Sequence, residues 1–439
     1  MSAGTARVPP PESPGPRLEE AAGPPLPDRR QSYRRVLSNR PFFHLWLAQF
    51  VSQSGDYVFQ VALFWLALSL THSAFAVGVV VASSILPGVL LGPILGVYID
   101  RWNRRRTLIV TEVVLGALVA ALSVVVLRGL TDLAELTAFV LMLGGGATLI
   151  RVTTNAYVPS VVPVSDLPSA NGLLSVGGSL NQIVGLSVGG AVVALLGVTI
   201  PIQYDALSFF VAAGVLIASP VAGPGLPPEA RSSRAGFVEE FREGLRFIRS
   251  HRFLLEIIAI SVFVNFFGNG IFALYAPYAA FVLQGGAAEY GLLGAASAAG
   301  ILLGALAMGK VNLHRTGGRY VFVGGAAVGV TMLGLGLVRV LPLALAIIFA
   351  MGLALAVTNV PISVVIQAKT PGRILGRVGA TLSALVLAAG PAGPIFAGWL
   401  AVRTSVADVF VLAGSMVVAV FVVSAATMRS LRSTGSAVS

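Results

Sequence analysis

The sequence predicts an all-α membrane protein with twelve transmembrane helices in two pseudo-symmetric six-helix bundles. Composition is the first reason: 56% of the 439 residues are hydrophobic and 11% are charged, whereas soluble proteins carry about 25% charged residues. The second reason is that long apolar runs alternate with short breaks. The third is that the two halves of the chain repeat short patterns in the same order.

About twelve apolar runs reach the roughly 20 residues that a membrane-spanning helix needs. Charged residues fall mainly between these runs, because a charge at the bilayer centre costs about 2.5–3.5 kcal/mol. We expect the spans at residues 42–70, 75–99, 107–127, 134–157, 170–196, 200–220, 253–283, 288–309, 319–338, 341–366, 378–402 and 406–428.

The distribution of positive charge predicts the orientation of the chain. Of the 29 Lys and Arg residues, all but four lie in the two tails or in the even-numbered breaks. Short loops rich in Lys and Arg stay in the cytoplasm. We therefore expect a multi-pass protein of the cell membrane with both termini in the cytoplasm.

The same pattern predicts five parts along the chain. Within the expected linker, residues 236–250 place apolar side chains at helical spacing with arginines between them, which predicts an amphipathic helix on the cytoplasmic surface. The parts are a disordered cytoplasmic N-terminal tail (1–40), an N-terminal six-helix bundle (41–220), a cytoplasmic linker (221–252), a C-terminal six-helix bundle (253–428) and a cytoplasmic C-terminal tail (429–439).

Four short patterns recur in both halves at offsets of about 204 to 212 residues. Parallel repeats of this kind are one transporter architecture, in which the substrate binds between the halves near mid-membrane. The pairs are Asn39-Arg40-Pro41-Phe42 with His251-Arg252-Phe253-Leu254, Gly92-xxx-Gly96 with Gly300-xxx-Gly304, Thr154-Asn155 with Thr358-Asn359, and Gly185-xxx-Gly189 with Gly390-Pro391-Ala392-Gly393.

Composition also argues against several functions. The chain has no cysteine and its four histidines are scattered, so we expect no metal site and no thiol chemistry. The pattern G-x-x-x-x-G-K-[ST] is absent, which argues against nucleotide as the energy source. No catalytic constellation stands out, so we expect no enzyme activity. The net charge of +11 reflects topology, and we expect no nucleic-acid partner.

Between the second and third spans, Gly96-xxx-Asp100-Arg101-xx-Arg104-Arg105 resembles the most specific motif of the major facilitator superfamily. Over residues 39–428 the resemblance is to the macrolide-efflux and enterobactin-exporter-like branch of drug:proton antiporters, and it implies the twelve-helix fold of that superfamily. The segments that carry it are 39–43, 54–56, 167–173, 205–210 and 376–378.

The resemblance implies that Gly96, Asp100, Arg101, Arg104 and Arg105 form a cytoplasmic gating motif, which latches the halves together when the protein opens outward. A plain topogenic arginine cluster is the alternative. In the repeat, Met308 stands where Asp100 would be, so the acid is present in one half only.

One motif position departs from the family, which usually has glycine where this chain has Asn103. Asparagine tolerates positive φ better than most residues. We therefore expect the turn to be retained.

Asp56 is the strongest candidate for an acidic residue with a role in transport. It lies about 21 Å into the first span, close to the bilayer midplane. Intramembrane carboxylates are costly and commonly functional. We expect Asp56 to couple transport to protons or to pair with a cationic substrate. A structural acid bonded to Gln53, Gln60 or a neighbouring helix is the alternative.

Other polar residues within the spans complete the expected cavity. From their depths, Glu112 and Arg151 are expected to form an intramembrane pair with a structural or gating role. The second half lacks central acids, so its contribution is expected to come from amides. The expected proton-coupling and substrate residues are Asp56, Glu112, Arg151, Gln60, Asn265, Asn269 and Asn359.

These observations predict a secondary exporter of an amphipathic, drug- or macrolide-like small molecule, driven by proton antiport through alternating access. Siderophore export and lipid flipping by the same fold are alternatives, and a transport-inactive membrane sensor or scaffold is the alternative from another class. We expect no cofactor beyond the proton gradient. The expected partners are the small-molecule substrate and the lipid bilayer, with the chain acting as a monomer.

Overall fold

The computed structural model describes residues 29–99, 101–220, 237–311 and 313–427, and the regular structure within those ranges is entirely helical. The all-α fold class predicted from the sequence is therefore confirmed. The expected tails at 1–28 and 428–439, and the first part of the linker at 221–236, lie outside the described residues.

The first half contains α1 to α7. A 3₁₀ turn at Val164–Asp166 joins α5 to α6. The helices are α1 (Arg29–Ser38), α2 (Arg40–Thr71), α3 (Ala74–Ile99), α4 (Arg104–Leu127), α5 (Leu133–Val161), α6 (Leu167–Leu196) and α7 (Thr199–Ala218).

The linker helix and the second half contain α8 to α16. A π-helical turn at Tyr278–Val282 follows α10. The helices are α8 (Phe237–Ser250), α9 (Arg252–Ala273), α10 (Tyr275–Pro277), α11 (Ala287–Met308), α12 (Leu313–Leu337), α13 (Leu341–Lys369), α14 (Gly372–Ala388), α15 (Ala392–Arg403) and α16 (Val406–Thr427).

Eleven helical segments of the described chain are long and apolar enough to cross a membrane. The expected first span, α2, is not among them, although it is 32 residues long. Its middle carries several polar side chains, which lower its hydropathy: Gln49, Ser52, Gln53, Ser54, Asp56 and Gln60. The chain is thus a multi-pass membrane protein, while the count of twelve spans stays a prediction.

Two expected spans are interrupted. The seventh was expected to be continuous over 253–283, but α9 ends at Ala273 and the short α10 and the π turn follow. The eleventh breaks between α14 and α15 at Gly390-Pro391, because proline lacks the N–H that a continuous helix requires. Both interruptions lie next to the space between the halves.

Helix α1 stands where the sequence predicted the end of a disordered tail. The Ser32 hydroxyl donates to Asp166 Oδ1 at 2.7 Å, and Arg35 Nη2 donates to the same oxygen at 2.9 Å. Val36, one turn after Ser32, is 2% exposed. These contacts fasten α1 to the turn between α5 and α6, and so supply the tertiary packing that a short helix needs.

Helix α8 forms where the amphipathic linker helix was predicted. Its Ile248 is buried with Leu254 of α9 and Val378 of α14. Glu243 forms an ion pair with Arg377 of α14. Helix α8 therefore lies against the start of the second half. We call this end of the molecule, which also carries the turn at residues 101–103, the linker end, and the opposite end the far end.

Contacts between the halves at the far end are made by glycines. A Cβ at Gly190 of α6 would lie 2.7 Å from the Ala287 carbonyl oxygen, and one at Gly398 of α15 would lie 2.6 Å from the Ala74 carbonyl oxygen. Real Cβ atoms do not approach so closely. Small residues therefore let α6 meet α11 and α3 meet α15 backbone to backbone.

Corresponding glycines at the linker end face open space. No heavy atom lies within 4 Å of a Cβ at Gly92 or Gly96 of α3, nor of one at Gly376 or Gly379 of α14. Among the described residues, the glycine contacts that join the halves extend from the far end to mid-membrane, where a Cβ at Gly390 would lie 3.1 Å from Ile85 Cγ2. The structure is closed at the far end and open toward the linker.

Replacing Gly190 with Leu is expected to force the halves apart at the far end and bring their linker ends together. Overpacking costs about 1–3 kcal/mol, which corresponds to a shift of about tenfold or more in a two-state population. The chain has no cysteine, so a Gly92→Cys variant can report on access with a water-soluble thiol reagent. Labelling is expected to slow about tenfold when Gly190→Leu is added.

The matched control is Gly214→Leu on α7, where a Cβ would meet nothing within 4 Å. This control is expected to leave labelling at position 92 unchanged. Equal labelling rates with and without Gly190→Leu would contradict the role of the far-end contact.

Candidate functional site

A cavity of about 550 Å³ opens within the first half. Its wall is formed mainly by α2 and α5, with contributions from α3, α4, α6 and α7. We call it the acidic cavity because two carboxylates line it. Its polar lining residues are Gln49, Ser52, Gln53, Asp56, Gln60, Ser84, Arg151, Thr154, Asn155, Ser175 and Asp205.

A second cavity, of about 580 Å³, is lined mainly by the second half. We call it the amide cavity. Arg151 lines both cavities, so the two spaces adjoin at this side chain. The amide cavity's polar lining residues are Arg151, Gln182, Ser261, Asn265, Asn269, Tyr275, Ser297, Asn359, Ser363 and Ser383.

Asp56 lies halfway along α2 and is exposed to the acidic cavity. Ser52 and Gln60 precede and follow it by four residues, so all three share one face of the helix. The structure thus brings together Asp56 and Gln60 of the predicted cavity residues. The predicted bond from Asp56 to a glutamine is not formed among the described contacts.

Asp205 of α7 is a second acid of this cavity, and the sequence analysis did not select it as a site residue. Its side chain is buried at 1% exposure, and its Oδ2 has no hydrogen-bond partner. A Cβ at Gly55 would lie 2.5 Å from Asp205 Oδ1. The missing side chain at Gly55 therefore lets Asp205 lie directly beside α2, next to Asp56.

A sequence signal for Asp205 was present. It is the only charged residue of α7, which otherwise reads as an apolar span. By the rule that selected Asp56, a lone acid within a span is a candidate functional residue.

Glu112 of α4 lies behind the acidic cavity rather than in its wall. It is fully buried, at 0% exposure. The Ser52 hydroxyl donates to Glu112 Oε2 at 3.1 Å, while Oε1 has no partner. Carboxyl groups from α2, α4 and α7 thus lie in one half of the protein, with Asp56 exposed to the cavity and Glu112 and Asp205 buried. Ser52 links Glu112 to the cavity wall.

The predicted ion pair between Glu112 and Arg151 is not formed among the described residues, and that prediction is wrong for this conformation. Arg151 instead points into the space between the halves. Its Nη2 would lie 3.3 Å from a Cβ at Gly88 of α3. Depth alone suggested the pair, but the two side chains leave their helices in different directions.

The polar wall of the second half carries three amides beside several hydroxyl groups. Asn269 Nδ2 donates to the Asn265 carbonyl oxygen at 2.8 Å and to Asn265 Oδ1 at 3.0 Å. Asn359 of α13 lies across the same cavity. The wall offers hydrogen bonds without formal charge, in contrast to the acids opposite.

Aromatic side chains border both cavities. Phe59 and Phe209 line the acidic cavity, and Phe272 lines the amide cavity. Phe272 also contacts Phe64 of the first half edge to face, with ring centroids 6.3 Å apart. Apolar surface and sparse polar groups are typical of sites for small molecules.

The predicted gating motif is described only in part, because Asp100 lies outside the described residues. Gly96 lies in the last turn of α3, near the open linker end, and Arg101 lies in the turn that follows α3. Arg104 is the first residue of α4. The latch role of this motif stays a prediction.

Arg105 holds the end of α7. Its guanidinium donates to the carbonyl oxygens of Leu216, Ile217 and Ser219 at 3.1, 2.9 and 2.8 Å. Carbonyls at a helix C-terminus lack partners within the helix, and a cation there is favourable. Arg105 therefore fastens the start of α4 to the end of α7.

Asn103 does not use the positive φ expected of it. Its φ is −72°, and its side chain accepts a hydrogen bond from the Arg106 backbone N–H at 3.0 Å. Asparagine is a preferred N-cap residue. At the position where the family usually has glycine, Asn103 therefore acts as the N-cap of α4 and not as a turn residue with positive φ.

Within the described chain, no group of three or more histidine, aspartate or glutamate side chains is arranged to hold a metal ion. Asp56 and Asp205 line the acidic cavity, while Glu112 lies behind its wall.

A family comparison matches the transmembrane secretion effector family of the major facilitator superfamily over residues 34–438. The chain belongs to this family. Its members are transporters, not enzymes. The match spans both halves and includes every candidate site residue.

Several known proteins of similar sequence are named as efflux proteins. The chain is 23% identical to macrolide efflux protein A of Streptococcus pyogenes over 392 residues, covering 87% of this chain and 94% of that protein. It is 26% identical to the multidrug efflux pump Tap of Mycobacterium tuberculosis over 376 residues, covering 82% and 87%.

Solved transporters share the fold. A bacterial homologue of the human lysosomal transporter Spinster, in an inward-facing and unoccupied conformation, superposes with a TM-score of 0.67 at 16% identity. The superposition covers 92% of this chain and 97% of that one. The superfamily fold predicted from the sequence is thereby confirmed.

Replacing Arg105 with Gln is expected to lower the free energy of unfolding by about 1–3 kcal/mol, because hydrogen bonds from a charged donor to three carbonyls are lost. The measurement is thermal unfolding of the detergent-solubilised protein. Arg106→Gln, a change at the exposed neighbouring residue, is the control and is expected to change stability little. Equal melting temperatures for the two variants would contradict the capping role.

Proposed function

We propose that the protein exports an amphipathic small molecule across the cell membrane by proton antiport and alternating access. The observation that carries this proposal is a carboxylate, Asp56, exposed in the acidic cavity of the first half, which adjoins the amide cavity at Arg151 in a protein whose halves are closed at the far end. Such a group can hold either a proton or a cation from one side of the membrane at a time.

Orientation follows from charge. The Arg-rich turn at residues 101–106 and helix α8 both lie at the linker end, and short Arg-rich loops stay cytoplasmic. In this orientation both termini are cytoplasmic, and the described conformation is open to the cytoplasm. A cavity open on that side collects substrate from inside the cell.

Both walls suit a large molecule that is apolar overall, with one amine and several hydrogen-bonding groups. Asp56 pairs with the amine, the amides Asn265, Asn269 and Asn359 bond the neutral polar groups, and the aromatic borders hold the apolar body. The names of the related macrolide and multidrug efflux proteins support this substrate class.

Proton coupling follows from mutually exclusive binding at Asp56. Asp56 and the buried Asp205 line one cavity. Like charges repel more strongly where the dielectric constant is low, so a positive partner for these acids is favoured. The cationic substrate supplies this charge when the protein changes from the inward-open to the outward-open conformation, and a proton supplies it when the protein returns. Exchange of one for the other lets the proton gradient drive export without a further cofactor.

Alternating access requires that the glycine contacts between the halves break at the far end and that new ones form at the linker end. The far-end contacts at Gly190 and Gly398 would open, and the free glycine faces of α3 and α14 would meet at the linker end. The motif with Arg101, Arg104 and Arg105 lies beside that closing surface, with Asp100 as its proposed latch. Each chain holds both cavities, so a monomer suffices.

The experiment is transport in proteoliposomes under an imposed pH gradient, with a panel that contains a macrolide, a siderophore and a fluorescent phospholipid. Wild-type protein is expected to move the macrolide and to release protons in return. Asp56→Asn is expected to abolish this movement, because the amide can hold neither a proton nor a cation at that position.

Glu135→Gln, at an exposed acid near the far end, is the matched control and is expected to retain wild-type transport. Movement of the siderophore or lipid alone would replace the proposed substrate. If no compound moves and none responds to the gradient, the antiport proposal is wrong and a sensor or scaffold role is favoured.

A further inference from the structure

Glu112 has no role in the function proposed so far, yet its surroundings are unusual. It is fully buried, and one of its carboxyl oxygens has no partner. The other accepts the Ser52 hydroxyl at 3.1 Å. An unpaired carboxylate deprived of water costs several kcal/mol, so its position requires an explanation beyond packing.

Charged groups on every neighbouring helix define what Glu112 can bind. The charged group of α2 on this side is Asp56 and that of α7 is Asp205, and both are acids that line the cavity in front of Glu112. The charged group of α5 on this side is Arg151, which faces the cavities and makes no ion pair with Glu112. On α4 itself, Arg105 is committed to the end of α7. A metal site is not formed among the described residues. The remaining ligand for the free oxygen is a proton.

Ser52 connects Glu112 to the cavity. It lines the acidic cavity and bonds to Glu112, and it precedes Asp56 by four residues, which places both on one face of α2. A hydroxyl accepts one proton while donating another. Ser52 is therefore suited to pass a proton between the acid in the cavity and the acid behind it.

Glu112 and Asp56 lie at different depths, measured from the linker end of their helices. Glu112 lies eight residues beyond Arg104, about 12 Å from the linker end of its helix, while Asp56 lies sixteen residues beyond Arg40, about 24 Å from the same end. A proton that moves from Asp56 to Glu112 therefore moves toward the linker end, and it does so behind the cavity wall rather than through the substrate's space.

We propose that Glu112 is the relay acid through which the proton displaced from Asp56 by the substrate leaves toward the linker end. This inference rests on the proposed proton antiport. In the step, the Asp56 O–H bond breaks as its proton passes to Ser52 Oγ, and the Ser52 hydroxyl proton passes to Glu112. Because Glu112 is fully buried, the proton that it already held passes from Oε1 to a water molecule that enters from the linker end and carries the proton away. Asp56 is left negative for the cationic substrate, and Glu112 and Ser52 each end with the protons they began with.

The relay predicts a separation of two activities in proteoliposomes. Substrate exchange across a membrane without a pH gradient needs only binding at Asp56, whereas export driven by a pH gradient needs the proton to leave. The Glu112→Gln variant is expected to retain exchange of a radiolabelled macrolide. Its rate of export driven by the pH gradient is expected to fall at least tenfold. Glu112→Asp, which restores a carboxyl group, is expected to recover part of that rate.

Ser52→Ala tests the same step without touching either acid, and it serves as the second variant if Glu112→Gln reaches the membrane poorly. It is expected to show the same separation. Ser54→Ala is the matched control: its hydroxyl bonds to the Val51 carbonyl oxygen and to Tyr204 rather than to Glu112, and both activities are expected to remain.

Three results would decide against the relay. Unchanged gradient-driven export in both Glu112→Gln and Ser52→Ala would mean that the proton leaves through the cavity. Equal loss of exchange and of gradient-driven export would make Glu112 part of substrate binding or of packing. Wild-type export that ignores the pH gradient would instead overturn the antiport proposal itself, and the relay with it.

Discussion

Backbone contact between the halves at the far end sets the shape of the protein. At Gly190 and Gly398 the helices of one half reach the main chain of the other, an approach that any side chain would prevent. In a membrane, where apolar side chains gain little by leaving lipid, such close packing is a main source of helix association. Both cavities lie on the open side of this seal, so their existence depends on it.

The two halves share an architecture but differ in chemistry. The first places three carboxyl groups, Asp56, Glu112 and Asp205, within its helices, and the second presents amides to the adjoining cavity. The predicted duplication of a six-helix unit would account for the common frame. In the proposed transport cycle, the difference in charge assigns the ion-dependent steps to the first half, while the second half contributes neutral hydrogen bonds and apolar contacts.

Hydropathy was sufficient to predict a helical membrane protein because lipid requires every backbone polar group to be satisfied within a helix. Asp56 could be selected in the same way, since an acid within a span is conspicuous. The Glu112–Arg151 pair could not be judged from depth, because the direction of a side chain around its helix axis depends on packing. Asp205 lies beside Asp56 only because residue 55 is glycine, a contact between distant segments. Asn103 was misjudged because a capping bond and a tight turn use the same residue type.

Arg105 has a mechanical consequence. The three carbonyls that it binds lie within the last five residues of the first half. Beyond the linker, α8 is fastened to α14 by the ion pair between Glu243 and Arg377 and by the close approach of Gly244 to Thr381. Both attachments of the linker are thus reinforced. In the proposed alternating access, a pull between the halves would act on these two reinforced attachments, and part of it would reach α14, which borders the amide cavity.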